Sequence, residues 1–540
     1  MPEKDAVQQC HGCEEGNDRV PYSRSPIAHA GILHLENTSS ELSGWKKYCQ
    51  TRGVFVAIVA LGLLGLAARP AADPDLWWHL RTGQLTLQTH AVFRMDPYSF
   101  TRAGFPWINH EWLSDVFMFG LYRLSGFGGL IVVFALLITG TYLLVFKRCS
   151  GGSYPAGIVT IWAALASRPV WGVRPQVLSL FFASLLLLLH DARLRHPRIL
   201  WCAVPLILLW ANLHAGYAMG IAVLILFLMG EALDALTGSA SWADVTPRIR
   251  TTALVVAASL AVVPFNPYGA KMYSYPISTL RSVSMQSRIA EWFSPNFHDA
   301  QYMPLALLML AVLGGLALSS KRARPGELLL LLAANFAALV SMRHVGVYVV
   351  IAAPILSRLL NARFERPPRL LKGAFLINTA ILVSFAIFVV MHIRTVVKNQ
   401  TAAEAEGFPV RAVSFLAAQH PPGPILNDYD WGGYLIWRLY PENRVFIDGR
   451  ADVYGDVLMK DFGDANSLTD DWRGVLERWR IRTVILKSGS PLITALRTSR
   501  EWKELYGDSQ ATVMARGPSI TAAEGMNREG REGTRGNSVK

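Results

Sequence analysis

The sequence predicts a polytopic α-helical membrane protein that carries a small α/β domain near its C-terminus. Only 17% of the 540 residues are charged and 52% are hydrophobic, whereas soluble proteins contain roughly 25% charged residues. The apolar residues are grouped in long runs that are separated by short polar loops. From residue 408 onward the composition becomes that of a globular domain, with short β-type runs between helix-like stretches.

Run length and flanking charge predict about eleven membrane-spanning helices. Several runs are shorter than the roughly 20 residues of a full span, so we expect these helices to extend into the neighbouring residues. The predicted spans are 53–68, 124–146, 154–168, 176–190, 199–213, 217–236, 251–265, 302–319, 327–341, 346–360 and 373–393.

The loops between these runs predict the topology and the domain organisation. Every loop of one parity is short and basic, which is typical of the cytoplasmic side. The opposite side therefore receives the long first outer loop, residues 69–123, and everything after the last span. The predicted segments are a disordered cytoplasmic N-terminus (1–44), a transmembrane domain (45–394), a linker (395–407), an outer α/β domain (408–516) and a disordered tail (517–540).

Short sequence patterns predict the elements of the outer domain. The runs "PILND", "NRVFIDG", "RTVILK" and "ATVMAR" are typical of β-strands. Residues 410–419 and 472–480 are expected to be helical.

Several function classes are disfavoured by the sequence. The formal charge of +13 comes from basic residues between apolar runs, so it indicates topology rather than nucleic-acid binding. The chain contains no GxxxxGK[ST] phosphate-binding loop. The stretch "HEWLS" at 110–114 is not a zinc-protease HExxH motif, because its last position is serine.

The outer loops carry ionisable residues at the ends of apolar helices. The first outer loop contains "DPDLWWHLRTG" and "PWINHEWL", and three short hairpins contain Arg168 with Arg174, Asn212 with His214, and Arg343 with His344. Such groups are costly at membrane depth unless they are paired or face a wet cavity. They predict a shared polar site, with structural ion pairs at the rim of the bundle as the alternative.

Acidic and basic groups at this place favour chemistry on a lipid phosphate. Arginine binds phosphate in a planar, bidentate geometry. A neighbouring carboxylate would deprotonate a hydroxyl that attacks an activated sugar carbon, and Arg or His would stabilise the leaving phosphate.

The segment Asp75-Leu76-Trp77-Trp78-His79-Leu80-Arg81 resembles a motif of the GT-C superfamily of membrane glycosyltransferases. It is similar to the Asp-Pro-aromatic-aromatic-Asn-Tyr-Arg pattern of the oligosaccharyltransferase catalytic subunit and to the Asp-Glu-x-x-Tyr pattern of lipid A and mannosyl transferases. This resemblance implies a polyprenyl-phosphate-linked sugar donor and an essential Asp in the first extracytoplasmic loop.

Most of residues 70–515 resemble bacterial membrane proteins that are grouped with glycosyltransferases of lipopolysaccharide-core type. The similar pieces are "DPDLWWHLRTG", "HEWL", "RPQVLSLFF", "NLHAGY", "NPYG", "EWFSP", "MRHV" and "DYDWGGYLIWRL…VFIDGRADVYG". The resemblance implies a GT-C-like transmembrane domain in the bacterial inner membrane with a periplasmic C-terminal domain.

On this resemblance Asp75 is the first candidate for the catalytic base and Asp73 the second. The sequence lacks the adjacent Asp-Glu pair of many GT-C enzymes, so the base and any metal use stay open. Asp73 is a candidate base, metal ligand or Asp-Pro turn former, and Mg²⁺ or Mn²⁺ would bind Asp73 and Asp75 if a metal is used. Trp77 and Trp78 are expected to be interfacial anchors or sugar-stacking platforms.

The remaining candidates fall into two sets, and each also has a structural interpretation. The residues expected to bind the phosphate of the lipid donor are His79, Arg168, Arg174, His214, Arg343 and His344. The candidates for acid/base chemistry or acceptor binding are His110, Glu111, Asp430, Asp448 and Arg450. The last three would equally suit a framework of turns and salt bridges that docks the outer domain.

The sequence therefore predicts an inverting hexosyl or pentosyl transferase that moves a sugar from a polyprenyl-phosphate carrier to a glycan, lipid or protein acceptor at the membrane. The alternatives are a transporter or flippase of lipid-linked glycans and a non-catalytic glycan-assembly scaffold of the same fold. A transporter would favour inverted repeats and broken helices at the midplane, whereas here the charges lie at the outer rim.

Overall fold

The computed structural model of the chain describes residues 51–361, 375–469 and 471–517. The N-terminal segment 1–44 and, apart from Gly517, the tail 517–540 lie outside the described residues. The helices up to residue 398 are α1 (Thr51–Ala67), α2 (Leu76–Thr89), α3 (Trp112–Arg148), α4 (Ser153–Ser167), α5 (Gln176–Ala192), α6 (Ala203–Leu213), α7 (Tyr217–Leu236), α8 (Trp242–Val262), α9 (Lys271–Arg281), α10 (Val283–Arg288), α11 (Met303–Leu318), α12 (Pro325–Val340), α13 (Val345–Asn361) and α14 (Phe375–Lys398).

Each of the eleven predicted spans coincides with one of these helices. Six helices of the described part are long and apolar enough to cross a membrane by length and composition, and four shorter apolar helices of 10–17 residues accompany them. These findings confirm a mostly helical chain with six candidate membrane spans in its described part. The number of eleven crossings stays a prediction, because several helices are too short to span alone.

The first outer loop contains more helix than its sequence predicts. It includes α2, and α3 already begins at Trp112 and kinks at Gly126, where φ is +60°. Gly83 allows α2 to lie directly on α3, since a β-carbon at this position would lie 2.1 Å from the carbonyl oxygen of Asp115. Close packing of α2 on α3 thus fixes the loop that carries the Asp75 motif.

The C-terminal region forms a four-stranded mixed sheet with helices around it. The strands are β1 (Ile425–Asn427), β2 (Thr483–Lys487), β3 (Trp502–Gly507) and β4 (Ala511–Arg516), and the helices are α15 (Gln400–Gly407), α16 (Val410–Gln419), α17 (Gly432–Leu439), α18 (Ala451–Ser467), α19 (Trp472–Arg478) and α20 (Pro491–Thr498). The strand order is β1-β2-β4-β3, with β1 and β2 parallel and the other neighbouring pairs antiparallel. Three of the four predicted strand runs are confirmed.

The fourth run, "NRVFIDG", is not a strand of this sheet, so that prediction is wrong. Val445 instead exchanges backbone hydrogen bonds with the first outer loop: it accepts from Phe100 and donates to Tyr98, both at 3.1 Å. On the other side, the N–H of Phe446 donates to the side chain of Asn427 at 2.8 Å. The β-type segment therefore pairs across the two parts of the chain.

A second hydrophobic core joins the first outer loop to the C-terminal region. Trp77 is 1% exposed and makes edge-to-face contacts with Phe408 and Tyr434 of the C-terminal region. Trp78 is also buried and packs near Trp107. The two interpretations that the sequence offers for this pair, interfacial anchor or sugar platform, are wrong for Trp77, because its ring is enclosed in this core.

A buried guanidinium holds the same junction together. Arg450 donates to Asp448 through Nε and Nη2 at 2.8 and 2.7 Å, and its Nη1 lies 2.8 Å from Asp96 of the first outer loop. The guanidinium also lies over the rings of Tyr98 and Trp107. These contacts support the docking interpretation of Asp448 and Arg450 rather than contact with an acceptor glycan.

We predict that Arg450→Met lowers the free energy of unfolding by about 3–5 kcal/mol, because it leaves two buried carboxylates without their cation. Equilibrium unfolding in detergent, followed by tryptophan fluorescence, measures the change. The matched control is Arg497→Met, which removes an exposed partner of Glu504 and should cost no more than about 1 kcal/mol. Equal losses in the two variants would contradict the framework.

Candidate functional site

Asp75 lies in a turn that leads directly into α2. Asp73 Oδ1 accepts the backbone N–H of Asp75 at 3.0 Å, which closes an Asx turn around Pro74. One helical turn further on, Trp78 donates its indole N–H to Asp75 Oδ1, also at 3.0 Å. The Asp75 carboxylate is therefore held in one direction by its own local sequence.

The C-terminal region covers this carboxylate with backbone atoms. A β-carbon at Gly449 would lie 1.7 Å from Asp75 Oδ1, and one at Gly433 would lie 2.6 Å from the carbonyl oxygen of Pro74. Only glycine fits such close approaches. The membrane part and the C-terminal region thus both form the environment of Asp75.

The enclosure changes the protonation of Asp75. Burial and the neighbouring charge of Asp73 raise the pKa of Asp75 to about 7, against the opposing effects of His79 and Arg174. A carboxyl group with this pKa exchanges a proton near neutral pH, as a general base must.

A first cluster, formed by Arg174, Arg343 and Glu291, lies beside the Asp73–Asp75 turn. Arg174 Nη1 lies 3.4 Å from Asp73 Oδ2, and Arg174 Nη2 contacts Glu291. Arg343 contacts the other oxygen of Glu291 at 3.0 Å and lies over the ring of Trp292. Burial would raise the pKa of Glu291, but the two guanidiniums outweigh it and lower that pKa. The predicted convergence of acids and arginines from distant outer loops is thus present.

A second cluster is centred on Glu111. The Nε2 atoms of His214, His110 and His79 lie 3.3, 3.5 and 3.7 Å from its carboxylate oxygens. Burial alone would raise the pKa of Glu111, but the three histidines, with His110 foremost, lower it. Glu111 is therefore an anion that is surrounded by N–H donors.

The other ring nitrogens of two of these histidines have fixed partners. His79 Nδ1 lies 2.6 Å from Asp115, and Asp115 outweighs the effect of burial to raise the pKa of His79. His214 Nδ1 lies 2.7 Å from Ser179 Oγ and accepts the N–H of Gly216 at 2.9 Å. Burial, with the nearby cations, lowers the pKa of His214 to about 3, so its ring is neutral and carries its proton on Nε2.

The two clusters lie within electrostatic range of each other, and together they are here called the polar region. The charges of Arg174 and Arg343, which belong to the first cluster, contribute to the lowered pKa of His214 in the second. The ring of Tyr275 packs against His110, with 4.3 Å between ring centroids. His110 and Glu111 therefore lie within the electrostatic range of the arginines beside Asp73, and their acid/base or acceptor role stays a prediction.

Three predicted site residues lie apart from these clusters. Arg168 is exposed, and no hydrogen bond or ion pair of the described residues links it to Arg174 or Asp75. The Nδ1 atom of His344 is buried without a hydrogen-bond partner in the described part of the chain. Asp430 is exposed and pairs with Lys487 at 3.0 Å.

The structure also adds residues that sequence reasoning missed. Glu291 could have been identified from the sequence, because it is the only acidic residue between 265 and 298. Gly449 could not, since its role depends on Asp75 lying against it.

Metal binding receives no support from a ready-made ligand cluster. Among the residues that the structure describes, no group of three or more His, Cys, Asp or Glu side chains is arranged to hold a metal ion. The carboxylates of Asp73 and Asp75 would be the ligands of a divalent cation that binds there.

No family model matches the chain, and no curated protein is similar to it in sequence. Two solved structures illustrate its structural similarities. The archaeal oligosaccharyltransferase AglB from Archaeoglobus fulgidus, in complex with an inhibitory peptide and a dolichol-phosphate, has a TM-score of 0.51 and 12% identity over 82% of this chain and 70% of AglB. ArnT from Cupriavidus metallidurans, bound to undecaprenyl phosphate, has a TM-score of 0.45 and 15% identity over 86% of this chain and 98% of ArnT.

The similarity to AglB concerns the fold, since 12% identity is too low to carry over an activity. It agrees with the resemblance of the "DPDLWWHLR" segment to the oligosaccharyltransferase motif. The chain therefore shares the overall fold of this oligosaccharyltransferase.

Proposed function

We propose that this protein is an inverting membrane glycosyltransferase that moves a sugar from a polyprenyl-phosphate-linked donor to a hydroxyl-bearing or amide-bearing acceptor. The observation that carries the proposal is the Asp75 carboxylate, which is enclosed by Gly449, oriented by Trp78 and flanked by Arg174. The proposed place of action is the periplasmic face of a bacterial inner membrane, as the basic loops predict.

In the proposed reaction Asp75 removes the proton of the acceptor group. The acceptor atom forms a bond to the anomeric carbon while the bond from that carbon to the phosphate oxygen breaks. Attack from the face opposite the phosphate inverts the configuration at this carbon. The proton ends on Asp75, and the lipid phosphate leaves with the electron pair.

The arginines would receive the phosphate. Arg343 is partly exposed and turns Nε and Nη2 towards Glu291, so its remaining N–H groups are available to an incoming anion. Glu291 keeps the guanidiniums of Arg174 and Arg343 close together despite their repulsion. Charge that develops on the leaving phosphate would be stabilised by this prearranged pair.

We predict that Asp75→Asn abolishes most transfer, with a loss of about 10²- to 10⁴-fold, because the amide cannot accept the proton. The measurement uses nanodiscs supplied with labelled polyprenyl-phosphate sugars and membrane extract as the source of acceptor. Asp430→Asn, which alters an exposed Asp, serves as the matched control and should leave the rate within about threefold.

Undiminished transfer in Asp75→Asn would remove this residue from its role. Wild-type protein that moves label across a bilayer without forming a glycosidic product would instead favour the flippase. Wild-type protein that does neither would favour the assembly scaffold.

The pH profile provides a second prediction. Asp75 acts only when it is deprotonated, and its pKa is about 7, so kcat/KM should rise about tenfold per pH unit below this value and level off above it. In Asp73→Asn the repelling neighbour is removed, and the midpoint should shift to lower pH. A midpoint that stays in place in this variant would contradict the assignment of the profile to Asp75.

We predict that Arg174→Gln weakens use of the donor by about 10- to 150-fold in kcat/KM, which corresponds to loss of one charge-assisted hydrogen bond to phosphate at about 1.5–3 kcal/mol. Steady-state kinetics with varied donor measures the change. The control is Arg168→Gln, an exposed arginine outside the cluster, which should change kcat/KM by less than about threefold. Equal effects would indicate general electrostatic attraction instead of a specific phosphate contact.

A further inference from the structure

Helix α9 (Lys271–Arg281) connects two candidate membrane spans. It follows α8, which ends at Val262, and the next span begins at Ala300. The hydroxyl of Tyr273 donates at 2.6 Å to the carbonyl oxygen of Leu260, in the last turn of α8. This contact places α9 at the level where the apolar part of a span ends.

Helix α9 has three faces with different surroundings. The buried face consists of Met272 at 0% and Tyr275 at 7% exposure. The second face, here called the apolar stripe, contains Tyr273, Ile277 and Leu280, which are 40, 52 and 55% exposed. The third face, here called the polar stripe, contains Lys271, Ser274, Ser278 and Arg281, which are also exposed. The spacing of three and four residues within each stripe keeps its members on one side of the helix.

The charge of this segment indicates which surface the two exposed stripes meet. Residues 265–290 contain no Asp or Glu but include Lys271, Arg281 and Arg288. Two further large apolar side chains, Phe265 and Val283, flank the helix and are 73 and 70% exposed. A basic helix with one apolar stripe is typical of elements that lie in the interface of an anionic membrane.

We propose that α9 lies in the plane of the membrane interface. The apolar stripe contacts the acyl chains, and Lys271 and Arg281 face anionic lipid headgroups. Two observations favour lipid as the occupant of this surface. Helix α9 contacts the end of the span α8, and its basic charges are complementary to anionic headgroups.

The buried face of α9 connects this surface to the polar region of the candidate site. Tyr275 packs against His110, and the hydroxyl of Tyr217 on α7 donates to the backbone carbonyl of Met272. One side of α9 therefore lines the region next to the Glu111 cluster while the other side meets lipid. The membrane surface thereby holds one wall of the site in position.

Site-directed spin labelling tests the membrane contact without reference to activity. Single cysteines at 273, 277 and 280 on the apolar stripe, and at 271, 274 and 278 on the polar stripe, are labelled after replacement of the five native cysteines. The protein is placed in nanodiscs that contain phosphatidylglycerol. We expect labels on the apolar stripe to collide more with oxygen and less with a water-soluble nickel chelate than those on the polar stripe.

Equal access of the nickel chelate to both stripes would overturn the proposal. Exclusion of both reagents from the apolar stripe would overturn it as well, because it would indicate cover by a second copy or another protein. Neither a helix in water nor a helix covered by protein would give oxygen access and nickel access that alternate with the helical period.

A functional test rests on the proposed function and is read separately. Ile277→Asn with Leu280→Asn places polar groups in the apolar stripe, and Ser274→Asn with Ser278→Asn places the same groups in the polar stripe. We expect transfer to fall at least tenfold in the first variant and less than threefold in the second, with an unchanged elution profile in detergent for both. Equal losses would contradict the link to the site, whereas a wild type without transfer would contradict only the proposed function.

Discussion

The buried charge of Arg450 is the constraint on which the arrangement around Asp75 depends. This guanidinium requires carboxylates, and it takes one from the first outer loop, Asp96, and one from its own segment, Asp448. The residue between Asp448 and Arg450 is Gly449, whose backbone lies against Asp75. The ion pair that joins the two parts of the chain therefore also fixes the backbone that lies against the candidate base.

The charges around Asp75 are also arranged so that each guanidinium is paired with a carboxylate. Asp73 and Glu291 occupy the guanidiniums of Arg174 and Arg343. Within the described contacts Asp75 has the indole N–H of Trp78 but no direct cation. A buried carboxylate in this position binds a proton more readily than an ordinary Asp, which is the physical cause of its raised pKa.

The sequence predicted much of the fold and part of the site, for reasons that particular residues illustrate. Apolar runs revealed the helices because membrane spans require continuous hydrophobicity. Arg174 and Arg343 were recognisable because a charge in a short hairpin between apolar helices is costly. The segment around Val445 was misassigned as a sheet strand, since β-propensity does not specify the partner. Gly449 and Tyr275 act only through tertiary contacts, which no local pattern encodes.

Two distant parts of the chain, the C-terminal region and α9, pack against residues of the polar region. Residues of the C-terminal region cover Asp75 from one direction, and Tyr275 on α9 packs against His110 from another. On the proposed placement of α9, the site lies between the C-terminal region and a helix that meets lipid. Such a position suits a substrate with an apolar carrier and a charged phosphate, because each part of that substrate meets the environment that its chemistry favours.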